Sequence, residues 1–252
     1  METFSQFSET VFEIGRGAAG IVYFDETQPK YVYKISNKNN QFRDWKKEKQ
    51  LYEHINTFNI DSEHIKLLKM TDYHIDDNGC KLQLTRAVNP IDPNMKFTIH
   101  PLFGLKSIKY KDTHRGLFIG LDELYGENCM FHGLEPATVF IEELGRVMAK
   151  LHYEVKNDGF DIELFLSSRV DDINKSTRVY IGDFDLSETI TEYNDYYIER
   201  MVWCFQAVPY FPTEGELFDV FSSAYISEAT RYKMKHIAQT VISRTDTNIK
   251  KK

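Results

Sequence analysis

Three glycines, at positions 15, 17 and 20, constrain this chain more than any other feature. The run Ile14-Gly15-Arg16-Gly17-Ala18-Ala19-Gly20-Ile21-Val22 reads G-x-G-x-x-G-x-V, and Tyr31-Val32-Tyr33-Lys34-Ile35 follows after a short break. In a dinucleotide-binding unit the third glycine of such a pattern opens a helix. Here Gly20 leads into Ile21-Val22-Tyr23-Phe24, a β-branched and aromatic run with strand character. Asp25 to Lys30 reads as a polar turn containing Pro29, and Tyr31 to Ile35 as another strand. The glycines therefore sit at the tip of a hairpin, with no helix behind them. Without a Cβ, their backbone amides can approach phosphate oxygens closely. Gly15, Gly17, Gly20 and Val22 are thus candidates for a phosphate-covering loop, with Lys34 as the charged partner. The plainer alternative is an ordinary hairpin with a glycine-rich tip.

At 252 residues, 42% hydrophobic and 27% charged, the chain can bury a substantial core as one large or two small lobes. A net charge of −7 argues against general nucleic-acid binding. No apolar run approaches the ~20 residues of a membrane span, and Met1-Glu2-Thr3-Phe4-Ser5 lacks the features of a secretory signal. Cys80, Cys129 and Cys204 are widely spaced and odd in number, forming neither a C-x-x-C knuckle nor a disulfide framework. The expectation is an intracellular, cytoplasmic protein. The C-terminal Lys250-Lys251-Lys252 reads as a solvated tail.

Strands are expected at about 11–16, 20–25 and 31–36, then a polar loop over Ser36 to Gln41. A helix follows over Arg43 to Asn56, with Trp45, Leu51, Tyr52 and Ile55 mostly on one face. Glu48 shares that face, and it is preferred to Glu53 as an inward acid because it keeps Leu51 and Ile55 against the sheet. The alternative makes Glu48 one of the solvated charges in Lys46-Lys47-Glu48-Lys49. Ile65 to His74 and Lys81 to Val88 read as two strands around the Asp76-Asp77-Asn78-Gly79 turn. Five strands and one helix complete a small N-terminal lobe. Asn89-Pro90-Ile91-Asp92-Pro93-Asn94 cannot continue a central strand, so a hinge with backbone open to an adenine is placed at Arg86 to Val88. Residues 95–135 are hard to read; Gly116-Leu117-Phe118-Ile119-Gly120 suits a short strand or a helix start. Phe140, Ile141, Leu144, Val147, Met148 and Leu151 recur at spacings of three and four after Pro136, marking the central helix of a larger, mostly helical lobe.

Two acidic stretches follow, Asp158-Gly159-Phe160-Asp161-Ile162-Glu163-Leu164-Phe165-Leu166 and Val179-Tyr180-Ile181-Gly182-Asp183-Phe184-Asp185-Leu186, separated by a polar turn at Asp171 to Thr177. Phosphoryl transfer needs hard oxygen ligands to hold Mg²⁺ against phosphates, and a carboxylate to orient and deprotonate the acceptor. Taken singly, each acid reads as an ordinary turn residue. Taken in order after the glycines and Lys34, they point to that chemistry. Tyr193 to Trp203 and Ala207 to Glu214 are aromatic-rich and suit an acceptor groove or, more simply, helical core packing.

The order of glycine-rich hairpin, Lys34, Glu48, Asp158, Glu163 and Asp183 resembles the protein-kinase-like superfamily. Met148-Ala149-Lys150-Leu151-His152-Tyr153, the stretch from Asp158 to Leu166, Gly182-Asp183-Phe184-Asp185 and Val208-Pro209-Tyr210-Phe211-Pro212 resemble a largely fungal, uncharacterised kinase-like family often labelled as a zinc-finger-protein domain. No Cys/His cluster here has zinc-ligand spacing. The resemblance spans about residues 11–225 and implies an α+β, bilobal protein-kinase-like fold. Its small N-lobe, residues 1–88, has an antiparallel five-stranded sheet and one helix; its larger, mainly helical C-lobe covers 89–252. It implies an ATP- and Mg-dependent phosphotransferase acting on a protein or small-molecule hydroxyl. Lys34, held by Glu48, would clamp the phosphates; Glu163 and Asp183 would hold metal. Asp158 would position the acceptor, with Asp161 as the alternative base. Lys156-Asn157-Asp158 replaces His-Arg-Asp, no Ala-Pro-Glu follows Asp183, and Asp185 replaces the glycine of Asp-Phe-Gly. The alternatives are a pseudokinase-type binding module and a kinase-fold enzyme transferring AMP or another group.

Overall fold

Strand-forming runs joined by tight polar turns build the first sheet. The protein is described from a computed structural model covering residues 10–16, 20–37, 45–76, 79–87, 90, 98–106, 111–113, 116–126, 135–168 and 177–246. β1 (Val11–Arg16), β2 (Ile21–Asp25) and β3 (Tyr31–Asn37) form an antiparallel meander, as the sequence predicts. The turn after β2 is an Asp25 device: its carboxylate accepts hydrogen bonds from Thr27 N at 2.9 Å and Thr27 Oγ1 at 2.7 Å. β5 (Met70–Asp76) and β6 (Gly79–Thr85) form the hairpin expected from the acidic turn. The sheet order is β1-β2-β3-β6-β5 and every pairing is antiparallel. β3 is therefore central, with Val32, Tyr33 and Lys34 all buried.

One expected strand is two. Residues Ile65 to His74 are broken at Leu68-Lys69, where the chain passes from one sheet to the other. β4 (Ile65–Leu67) runs parallel to β11 (Thr177–Gly182), and Leu68 N donates to Ile181 O at 2.9 Å. Lys69 already belongs to the first sheet, since its carbonyl accepts from Thr85 N at 2.8 Å. The physical reason is visible in the burial: Leu67 and Leu68 are both buried, so the alternation that a single half-buried strand requires fails there.

β4 opens a second, six-stranded sheet of order β4-β11-β10-β7-β9-β8. Its members are β7 (Ile99–Pro101), β8 (Lys111–Thr113), β9 (Gly116–Ile119) and the antiparallel pair β10 (Glu163–Ser168) and β11. The stretch 95–135 thus contributes strands to a half of the chain expected to be mainly helical. Its glycine-bounded patch is both things proposed for it: β9, then the short α2 (Leu121–Tyr125). Because β4 lies before residue 88, sheet membership does not divide the chain at that point.

Among the described residues there are six helices, and with the five-stranded sheet they make a mixed α+β fold. α1 (Trp45–Asn56) lays Leu51, Tyr52 and Ile55, all buried, against β5 and β6. α3 (Ala137–Tyr153) starts directly after Pro136, which occupies the N-cap, and its Phe140, Ile141, Leu144, Val147, Met148 and Leu151 are fully buried. It packs along α5 (Gly215–Arg231); α4 (Asp195–Gln206) and α6 (Lys235–Thr245) complete the group. One continuous apolar cluster runs from Val32 and Leu82 in the first sheet through Tyr52 and Phe184 to Phe221 and Val241. Glu143 of α3 clasps the segment before β4, accepting from Ser62 Oγ, from His64 N at 2.9 Å, and pairing with His64 Nδ1 at 2.9 Å. No helix among the described residues is long and apolar enough to cross a membrane.

Two stability outcomes follow from this packing. A Cβ on Gly145 would lie 2.6 Å from the backbone oxygen of Phe221, so α3 and α5 approach as closely as glycine permits. Gly145→Ala is expected to cost about 1–3 kcal/mol through overpacking and to lower the thermal midpoint by several degrees. An unchanged midpoint would contradict the contact. His152 is fully buried on α3 and burial pushes its ring down to about 3. In the unfolded chain this histidine protonates near the ordinary histidine value of about 6.5. The neutral ring's contribution is therefore complete above that pH and lost as pH falls toward the folded value, by up to about 1.4 kcal/mol per pH unit. Urea unfolding between pH 7 and 5 should show this slope, and His152→Gln should flatten it.

Candidate active site

The side chains of β3 alternate, which turns Lys34 toward α1 while keeping it in the middle of the sheet, opposite Val22 on β2 and Leu82 on β6. Glu48 occupies the turn of α1 preceding Leu51 and Tyr52, and faces the same way. Its Oε1 lies 2.8 Å from Lys34 Nζ, and both residues are buried. The second acidic stretch arrives from the far side. β11 delivers Asp183 and Asp185, whose carboxylates sit 2.7 Å and 3.3 Å from the same ammonium. Phe184, fully buried between them, makes an edge-on ring contact with Tyr52 of α1 at 5.6 Å and 90°. That apolar contact fixes the Asp183 loop to the helix carrying Glu48.

Burial would lower the Lys34 ammonium, but Asp183, Glu48 and Asp185 together hold it well above the usual lysine range. Glu48 is pushed up by burial, with Lys34 pulling the other way. The three acids differ in access to water: the side chains of Glu48 and Asp185 are each 3% exposed, that of Asp183 35%. Asp183 is the carboxylate that a ligand can reach. Its backbone is left-handed at φ 60°, a conformation costing of order 1–3 kcal/mol in a non-glycine residue. Glu163 opens β10 directly across from Gly182, one residue before Asp183, and is half-buried.

The glycine hairpin is in part explained by packing. Gly15 pairs with Val22 across an irregularity in β1, and Gly17 lies outside the described residues. A Cβ on Gly20 would lie 2.3 Å from Ile35 O, so the close approach of β2 to β3 itself demands glycine at this position. The expected hinge is less open than supposed. Arg86 N donates to Lys30 O at 2.9 Å and its guanidinium covers the Phe24 ring at 3.9 Å; Val88 lies outside the described residues.

The loop after α3 is set differently from the expectation for Asp158. That residue is fully buried. Its Oδ1 accepts from Phe160 N at 3.0 Å and Glu188 N at 2.9 Å, and its Oδ2 accepts from Arg200 Nε. Both oxygens are thus engaged inward, and burial pushes the carboxyl up against the pull of Arg200 and the two amides. Asp158 straps this loop to the segment after Asp183, an attachment reinforced by Asp158 N to Glu188 O at 3.0 Å and Ile190 N to Lys156 O at 2.6 Å. Asp161, in the same loop, is half-buried and left-handed at φ 64°.

Sequence reasoning missed Arg200. It joins Asp158 to the Leu186 carbonyl at 2.6 Å and lies under the Phe160 ring at 4.0 Å. Nothing local signals it, because its partner is 42 residues away. Asp185, which stands in the place of the glycine of Asp-Phe-Gly, meets the same ammonium. The two aromatic stretches differ: in the first, Tyr193 and Tyr197 are half-buried and Tyr196 and Trp203 exposed, while in the second Tyr210 and Phe211 are buried in the core. Cys80 and Cys204 are buried free thiols. The one cluster of His and acidic side chains with metal-ligand proximity among the described residues is Glu63, His64 and Glu143, at the clasp on α3.

No protein-family model matches this chain, and no curated protein matches it at a significant level.

Removing one member of the Asp158–Arg200 pair leaves a buried charge uncompensated. Arg200→Ala is expected to cost roughly 3–5 kcal/mol in urea unfolding, and Asp158→Asn in the same background to recover part of it. A loss below about 1 kcal/mol would show that the pair behaves as a surface contact.

Proposed function

We propose that this chain is an ATP- and Mg-dependent phosphotransferase of atypical kinase type. Its arrangement is bilobal, residues 1–88 supplying the hairpin, Lys34 and Glu48, and residues 89–252 supplying Asp161, Glu163 and Asp183. One observation carries the reading: the Lys34 ammonium, 2.8 Å from Glu48, is also 2.7 Å from Asp183, an acid 149 residues further along the chain. An oriented ammonium beside a water-accessible carboxylate is what binding and polarising a metal-bound triphosphate requires.

The donor set fits the metal. Asp183 and Glu163 offer carboxylate oxygens, the hard ligands that magnesium takes together with phosphate oxygens. When bound, Mg²⁺ supplies neutralising charge to those phosphates. Lys34 binds phosphate oxygens and Glu48 keeps it aimed. The β1–β2 hairpin, with Gly20 and Val22, would cover the site. Asp161, rather than the inward-held Asp158, orients the acceptor. The acceptor hydroxyl oxygen attacks the γ-phosphorus, the bond to the β–γ bridging oxygen breaks, ADP leaves with that electron pair, and the hydroxyl proton passes to Asp161. Asp158 and Arg200 keep the loop bearing Asp161 against the segment bearing Asp183. A second reading, a pseudokinase-type binding module, draws support from the burial of Asp158, which removes the usual acceptor-positioning acid from the solvent side.

Thermal melting with Mg-ATP tests the reading. At about a hundredfold excess over Kd, binding adds roughly 2.7 kcal/mol, a rise of several degrees that Asp183→Ala should abolish. With Mg-ATP labelled at the γ-phosphate, label should pass to protein or small-molecule hydroxyls, and Asp161→Asn should reduce transfer by at least tenfold. A melting rise without transfer supports the binding module. Transfer only from the α-phosphate indicates AMP transfer, and no melting response contradicts the nucleotide site.

A further inference from the structure

We propose that Tyr52 is a positioning residue whose hydroxyl takes over Asp185 when Lys34 turns to the nucleotide phosphates. This inference rests on the phosphotransferase reading. Tyr52 is fully buried on α1, and its hydroxyl has no hydrogen-bond partner among the described residues. A buried hydroxyl in that state costs free energy that a phenylalanine filling the same space would not. Charge lies close by. Glu48 precedes Tyr52 by one helical turn, and the Tyr52 ring meets Phe184, the residue between Asp183 and Asp185, edge-on at 5.6 Å. Burial, and after it Glu48, hold the phenol above the usual tyrosine range, with Lys34, Asp183 and Asp185 also acting on it. It therefore stays protonated and keeps a hydrogen to donate.

The Lys34 ammonium has three hydrogens to donate, and its three partners are Glu48 at 2.8 Å, Asp183 at 2.7 Å and Asp185 at 3.3 Å. Bridging two phosphates, as the strand lysine of kinase-like phosphotransferases does, takes two of those hydrogens. Glu48 keeps the third, so Asp183 and Asp185 are both released. Asp183, with its side chain 35% exposed, turns to water or to metal. Asp185, at 3%, has no such route, although its contact with Lys34 is the longest of the three. A carboxylate stripped of its donor in a buried setting is strongly unfavourable. Tyr52, whose ring contacts the neighbouring Phe184, supplies that donor from inside the protein. The same hydroxyl thus weighs against the nucleotide-free state, where it is idle, and favours the loaded one, where it is paired.

Tyr52→Phe removes the hydroxyl and keeps the ring on Phe184. Without ligand, this variant of the full chain is expected to melt about 2–4 °C above the unaltered chain. In isothermal titration with Mg-ATP it should bind about fivefold more weakly or worse. A tyrosine that only fills space would not move the two readings in opposite directions. Asp185→Asn removes the charge that needs the donor, so adding Tyr52→Phe to it should change Mg-ATP affinity by less than about twofold. A ligand-free midpoint that does not rise in Tyr52→Phe, or an unchanged Mg-ATP affinity, overturns the inference while leaving the nucleotide site standing. So does a loss of affinity that persists undiminished in the Asp185→Asn background. Absence of Mg-ATP binding by the unaltered chain overturns the nucleotide reading, and the inference with it.

Discussion

A single buried ammonium organises this protein. Lys34 sits at 6% exposure in the middle strand of a five-stranded sheet, where an uncompensated charge would be prohibitively costly. The compensation comes from three carboxylates on two distant parts of the chain, α1 and the loop after β11. Each of those parts must then be held where its acid can reach the nitrogen. The packing of Tyr52 on Phe184, the burial of Leu51 and Ile55, and the delivery of Asp183 by β11 are consequences of that demand as much as causes of it.

The second organising contact is the Asp158–Arg200 pair. It ties the loop after α3 to the segment after Asp183, where Lys156 O accepts from Ile190 N and Phe160 O from Ser187 Oγ. Three of the four described non-glycine residues with positive φ, Lys156, Asp161 and Asp183, belong to this loop pair. Backbone strain persists only where the surroundings over-determine it, and here hydrogen bonds from Glu188 and Ile190 and the Arg200 guanidinium do so. The strain concentrates around the two acids to which the proposal gives chemical roles. A strapped, preorganised loop of this kind suits a reaction whose catalysis is mostly positioning and electrostatics.

Much of this was legible in the sequence, and the exceptions have physical causes. α1 with its inward Glu48, and α3, came from periodicity, because each has one face dry and the other wet, whereas the hairpin came from its β-branched runs and polar turn. The choice of Glu48 over Glu53 followed from keeping Leu51 and Ile55 on the sheet, and its pairing with Lys34 was implied by the resemblance. The split of Ile65 to His74 was harder to see, since the consecutive burial of Leu67 and Leu68 becomes a signal only once a second sheet is known to exist. Strands β7 to β9 are three or four residues long, too short for alternation to register. Asp158 misled because its spacing from Glu163 suits a catalytic acid equally well when the side chain points inward. What turned it inward is Arg200, and no local pattern announces a partner on a later helix.

The most direct test of the account is a double-mutant cycle on Lys34 and Asp183, read by urea unfolding. If the ammonium and the carboxylate meet as described, Lys34→Met and Asp183→Asn should be coupled, with an interaction energy of at least about 1 kcal/mol, within the range found for residues in contact. Effects that add to within roughly 0.3–0.5 kcal/mol, as they do for separated sites, would contradict it and remove the basis for a shared phosphate site.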